Sequence, residues 1–215
     1  GYVTAVDIAD EHYGSPETIG EARERIMKSK FSSNISIKLN YDIIKSASEF
    51  KDDEFDCVVL SHCLWYFPDY DFLEKIIKKV KRLSKKLCIA EWNPHIDNKS
   101  QFAHFRAAEI QAVCECFRES SDSNIRTLFF PRDIHNSIIS AGYEVDNFEF
   151  IYSPDVHDGE WEVQMTISAY PRIIRNLEDM PERLKELLLS QIFDLRLCKD
   201  IKPLSSLVMK AVRID

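Results

Sequence analysis

Two apolar runs in this chain end in residues able to move protons and to wall a pocket. The run EFDCVVLSHCLWYFPD ends in Ser61 and His62, with Trp65 and Tyr66 immediately behind them. The run LSKKLCIAEWNPH ends in Glu91 and Trp92, and His95 follows after a proline. An imidazole or a carboxylate at such a place can take a proton from a reacting group, and the indole and phenol rings can line an apolar pocket. Two other runs end in acids. GYVTAVDIAD carries Asp7 followed by Ile8, and ISIKLNYD ends in Asp42 followed by Ile43. Buried-strand patterns that each end in a polar residue suggest a nucleotide-type site on the carboxyl edge of a parallel sheet, where open α/β sheets bind their ligands. The acids fall where a ribose and an adenine need them.

Each of these residues also has a plainer reading. His62 either acts as a base or only hydrogen-bonds beside a cofactor. Trp65 and Tyr66 either wall a pocket or pack on the next helix. Glu91 sits at a ligand-facing strand end, whereas His95, after Pro94, equally suits an exposed loop. Asp155, His157 and Asp158 cluster in SPDVHDGE, a composition typical of a solvated turn. His104, His135 and His157 share no spacing with acids that suggests a metal, and the lone CxC of Cys114 and Cys116 points its thiols apart on a helix. No metal is expected.

The elements that must position these groups follow from periodicity. Apolar runs predict strands over residues 2–8, 35–41, 55–61 and 86–92, the third apolar on both faces and hence central. Between them, helical spacing covers 18–30, a short stretch at 43–50, and 70–83. Thr18 and Glu21 have the spacing of a capping box. This β-α-β-α-β-α-β order predicts a parallel sheet with right-handed crossovers. A long amphipathic helix is predicted over 100–117 and a short one over 131–141, ended by Gly142. Strands are predicted over 143–152, 160–170 and 206–214, with helix over 171–198 restarting at Pro181.

Bulk properties narrow the class. A chain of 215 residues with 45% hydrophobic and 30% charged residues suits one soluble domain with a sizeable core. A net charge of −8 argues against nucleic acid, which needs a basic face; the run KKVKRLSKK reads as a solvated helix end. No stretch approaches the ~20 apolar residues of a membrane span, and no leader pattern stands out. Six cysteines without a CxxC pair fit a reducing, cytoplasmic setting.

The segments VTAVDIA, NYDI, FDCVVLSHCLWYF, LSKKLCIAEW, AGYEV and SSLVMKAVRI together resemble a class I S-adenosylmethionine (SAM)-dependent methyltransferase along nearly the whole chain. The resemblance implies an α/β fold: a Rossmann-like, mostly parallel sheet with an antiparallel last strand and helices on both faces. It implies SAM as cofactor, with Asp7 on the ribose hydroxyls, Ile8 on the adenine face, and Asp42 with Ile43 at the adenine amino edge. Ser61 and His62 then face the cofactor. His62, Glu91 and His95 become the catalytic candidates, and Trp65, Tyr66 and Trp92 the substrate-binding ones. A helical insertion at about 155–200, before the last strand, would cap an acceptor. The expected acceptor is a small molecule methylated on O or N; a homodimer is left open.

Two departures stand out. The loop before the fifth family strand reads LSKK, without the usual glycines, and the family's first strand with its glycine loop has no counterpart. The chain is therefore expected to be a single but N-terminally truncated domain, short of roughly 40–60 residues. The loop DEHYGSPE is also longer than usual and is expected to fold over the adenosine, with Tyr13 as a stacking partner. Two rivals remain: a degenerate methyltransferase-like binding module, and a nicotinamide-dependent oxidoreductase, which lacks its glycine loop here.

Overall fold

The computed structural model describes residues 1–15, 17–119, 121 and 123–214. The loop at 9–17, expected to fold over an adenosine, includes Pro16, which lies outside the described residues. The chain divides into two compact units, Gly1–Glu54 and Phe55–Asp215.

In the first unit, β1 (Val3–Val6) and β2 (Ile35–Lys38) pair in parallel, with Val3 opposite Ile35 and Val6 opposite Lys38. Helix α1 (Ile19–Met27) makes the crossover. Its start is set by the Thr18–Glu21 capping box: Thr18 Oγ1 accepts from Glu21 N, and Glu21 Oε2 accepts from Thr18 N. The short α2 (Ile43–Ser46) follows. Tyr41, Ala47 and Phe50 are the buried apolar residues here, and the Tyr41 hydroxyl donates to the Ser46 carbonyl at 2.8 Å.

In the second unit, four strands are ordered β3-β4-β6-β5. They are β3 (Val58–Ser61), β4 (Lys86–Trp92), β5 (Tyr143–Ile151) and β6 (Ser206–Arg213). β3 and β4 run parallel, while β6 is antiparallel to both β4 and β5. This is the mostly parallel sheet with an antiparallel last strand. Helices α3 (Tyr70–Val80) and α5 (Pro131–Ser140) lead into β4 and β5. Leu73, Ile77, Ile134 and Ile138 from these helices join Leu87, Ile89, Leu207, Met209 and Ala211 of the strands in one apolar core. A second core joins α4 (Phe102–Glu115), α6 (Asp158–Asn176) and α7 (Glu182–Leu195), the last two lying between β5 and β6. Among the described residues no helix is long and apolar enough to cross a membrane.

Three sequence expectations change. Residues 160–170 are helix, not strand. Their β-branched and aromatic content favours a strand locally, but Val163, Tyr170 and Ile174 recur with helical period and bury against α4. Pro171 stands inside α6, where its missing N–H costs one bond without ending the helix. Strand β1, expected to be buried, leaves Val3 55% exposed, and β3, expected to be central, leaves Val59 59% exposed. Each pairs on one edge only, β1 in a two-stranded sheet and β3 at the end of a four-stranded one.

Candidate functional site

Alternation along β4 places Leu87, Ile89 and Glu91 on one buried face. Glu91 thus occupies a core position at 1% exposure, where a carboxylate must be paired. It is. Oε2 accepts the Leu64 N–H at 2.7 Å, and Oε1 accepts the Trp92 N–H at 2.8 Å. The first bond ties β4 to the turn that follows β3, a 3-10 turn over Leu64–Tyr66.

His62 lies between β3 and that turn, and its φ of +47° falls in the left-handed region that non-glycine residues avoid. Its N–H donates to the Ala90 carbonyl at 2.7 Å, which extends the β3–β4 ladder by one bond before the chain turns away. The imidazole is held on three sides. Nδ1 is 3.6 Å from Glu91 Oε1, Nε2 is 3.4 Å from Ser206 Oγ, and the ring lies 4.5 Å, centroid to centroid, from Trp92. The side chain is 36% exposed, so it is open to an incoming molecule. Strained backbone held by surrounding structure is a frequent property of functional sites.

His62, Glu91 and Trp92 therefore come together, with Ser61 exposed beside them. Trp65 is 4% exposed and belongs to the apolar core, whereas Tyr66 is 39% exposed. His95 is set apart from the His62 ring: it is exposed, its N–H donates to Asn93 Oδ1, and its ring lies edge-on to Phe130 at 5.6 Å.

In the first unit, Asp7 is exposed at the carboxyl end of β1. Its Oδ1 accepts the Ala9 N–H at 2.8 Å, and Oδ2 has no partner among the described residues. An open carboxylate oxygen there suits a diol such as the ribose of SAM. Ile8, 69% exposed, offers an apolar surface beside it. Asp42 is more occupied. It N-caps α2, with Oδ1 accepting from Ile44 N and Lys45 N, and it pairs with Lys45 Nζ at 3.1 Å. Burial raises its pKa, but the bonds from Lys45 and the two amides outweigh that and hold it below the ordinary carboxylate value. Ile43, the first residue of α2, is half-buried.

Residues given no role in the sequence reading also matter. Ser206 faces His62 from the start of β6. His104 and Gln111 lie seven residues apart on the buried face of α4, a spacing visible in the sequence. His104 is fully buried, its Nδ1 accepts the Leu204 N–H at 3.0 Å, and desolvation lowers its pKa to about 3. Gln111 joins Glu162, Thr166 and Tyr170 in a buried network.

No protein-family model matches the chain, and no curated protein matches it. Solved structures do. A cyclopropane-fatty-acyl-phospholipid synthase-like protein from Lactobacillus casei superposes with a TM-score of 0.83 at 24% identity, over 99% of this chain and 75% of the other. A SAM-dependent methyltransferase from Methanosarcina mazei gives 0.57 at 14% identity, over 99% and 82%. The [4+2]-cyclase SpnF gives 0.51 at 11% identity, over 99% and 66%. At these identities the likeness establishes the fold, which is the α/β fold of class I SAM-dependent methyltransferases.

Proposed function

We propose that the protein is a SAM-dependent methyltransferase acting on an O or N atom of a small-molecule acceptor. The observation that carries this reading is the pairing of that fold with an open carboxylate, Asp7, at the end of β1. Asp7 would hold the ribose hydroxyls, Ile8 would cover the adenine, and Asp42 with Ile43 would border its amino edge. Ser61 and His62 would line the approach to the reacting carbon. When bound, SAM supplies an electrophilic methyl group on a sulfonium.

The chain's own residues would supply alignment and proton removal. Transfer from a sulfonium is an in-line displacement, so most of the catalytic work is orientation. An acceptor that must lose a proton gains from a base within hydrogen-bond reach. His62 fills that role, with Ser206 Oγ fixing Nε2 and Glu91 lying opposite Nδ1. Glu91 is then a positioning residue: through Leu64 N and Trp92 N it fixes the turn that aims His62. Trp92 and Tyr66 would contact the acceptor, and α6 with α7 would cap it. His95, beside Phe130, would act only from the rim.

Calorimetric titration of SAM into the full-length protein, wild type and Asp7→Ala, tests the cofactor half. Binding by the wild type and its loss in the variant is the expected result. No binding by a well-folded wild type sinks the enzyme reading and favours a partner-binding module on the same fold.

A further inference from the structure

A groove of about 330 Å³ opens between α4 and α7 in the second unit. Phe102 and Arg106 line it from α4, and Ser190, Phe193, Asp194 and Leu197 line it from α7 and the turn just beyond. Residues 190, 193, 194 and 197 fall on one stripe by helical spacing. That stripe points away from the core that Leu188, Ile192 and Leu195 join. Phe193 and Leu197 are each 65% exposed. A lone exposed apolar side chain needs no explanation. These two are neighbours one turn apart, and they rise beside an open hollow with a third apolar side chain, Phe102, on its other wall.

The two walls also carry opposite charges. The Arg106 guanidinium stacks on the Phe102 ring at 5.1 Å, and Nη1 donates to Glu109 Oε2 at 2.9 Å. The rest of its donor fork points elsewhere. The Asp194 carboxylate makes no ion pair among the described residues, with Arg106 or any other cation. A lipid or nucleic-acid surface calls for an excess of cations, whereas this groove holds one charge of each sign. A patch with a knob, a hollow, a cation and an anion is complementary to itself, and self-complementarity is what a twofold contact requires.

We propose that the α4–α7 face is the contact through which two copies of this chain form a twofold dimer. An axis lying along the groove sets α7 of each copy over α4 of the other. Phe193 and Leu197 then enter the hollow beside Phe102 of the second copy, and Arg106 faces Asp194 across the contact, twice by symmetry. Each helix has 14 residues and is about 21 Å long. Two such helices side by side suit a modest, reversible interface rather than an obligate one. The proposal does not rest on the methyltransferase reading.

The test is sedimentation velocity of the full-length protein from about 1 to about 300 μM, where a contact of this size should be reversible. The wild type is expected to pass from monomer to dimer over that range. Arg106→Glu and Asp194→Arg each set like charges opposite one another at both ends of the contact, and each should weaken the dimer at least about tenfold. An equimolar mixture of the two variants should restore it, because the two introduced charges attract and the native pair forms at the symmetric position. Phe193→Ser removes the knob at a side chain that is mostly exposed, so it should weaken the dimer without disturbing the fold. A wild type that stays monomeric at every concentration overturns the proposal. So does a dimer that survives all three substitutions. So do charge variants, folded by circular dichroism, that do not recover association when mixed.

Discussion

Glu162 should make the stability of this protein fall as pH rises through the neutral range. It lies on the face of α6 that packs on α4, 9% exposed. Gln111 Nε2 donates to its Oε2 at 2.6 Å and to Thr166 Oγ1 at 3.0 Å, Thr166 Oγ1 donates to the Glu162 carbonyl, and the Tyr170 hydroxyl donates to Gln111 Oε1. Among the described residues no cation pairs with the Glu162 carboxyl. Desolvation therefore dominates and raises the carboxyl from the ordinary 4.5 to about 7, opposed by the Gln111 bond and helped by the charge of Asp158. The folded state prefers the protonated acid, so its contribution is fully present below about pH 4.5 and lost as pH rises through about 7. A difference of about 2.5 pH units, at about 1.4 kcal/mol each, amounts to on the order of 3 kcal/mol. Glu162→Gln mimics the neutral acid and removes the dependence. In urea unfolding, the variant should match the wild type near pH 4, exceed it by about 2 kcal/mol at pH 6, and by about 3 kcal/mol at pH 8. All other titrations are common to both proteins and cancel. A difference that stays constant from pH 4 to 8 would refute the reasoning, because Glu162 would then carry the same charge folded and unfolded.

Three further outcomes are expected. Glu91→Leu leaves the buried Leu64 N–H without its acceptor and removes a charge-assisted bond worth about 1.5–3 kcal/mol. Thermal unfolding should move down by about 3–12 °C, at about 2–4 °C per kcal/mol for this size, and an unchanged midpoint would show that the turn does not depend on Glu91. Gly142→Ala places a side chain on a left-handed residue with φ +81°, where its Cβ meets only the flexible amino end of Lys81. The backbone cost of about 1–2 kcal/mol should therefore appear in full in urea unfolding. Thr18→Ala removes the acceptor for Glu21 N and should cost about 1 kcal/mol, read from amide exchange in the first turn of α1.

Strand and helix periods located the elements well where one face is buried. The alternation of Leu207, Met209 and Ala211 in β6, and the capping box at Thr18, are local signals with one physical reading. Local composition misleads at 160–170, where strand-forming residues line a helix because packing against α4 decides the outcome. It misleads on exposure as well. The apolar composition of β1 and β3 predicted burial, yet Val3 and Val59 are open because each strand is paired on one edge only. In the site, the residue types at the ends of β3 and β4 were legible, but their division of labour was not. Only the fold reveals that Glu91 holds the turn, that Ser206 reaches His62 from a strand 144 positions away, and that His104 Nδ1 accepts the Leu204 N–H. Such long-range pairings leave no trace in local spacing.

The fold alone does not choose the reaction. A structure called a [4+2]-cyclase shares this architecture over 99% of the chain, so the same sheet supports chemistry other than methyl transfer. What discriminates is the division of tasks between two sets of residues. In the proposed reading Asp7 serves the cofactor and His62 the acceptor, and the two should fail differently. Asp7→Ala should abolish SAM binding outright. His62→Gln should leave SAM binding intact and slow transfer by about 10²–10⁴-fold where the acceptor must lose a proton. An enzyme that holds its reactant by shape and aromatic contact alone would show the reverse dependence: indifference to Asp7 and sensitivity to Trp92. The order in which these variants fail, rather than the likeness of the folds, decides the activity.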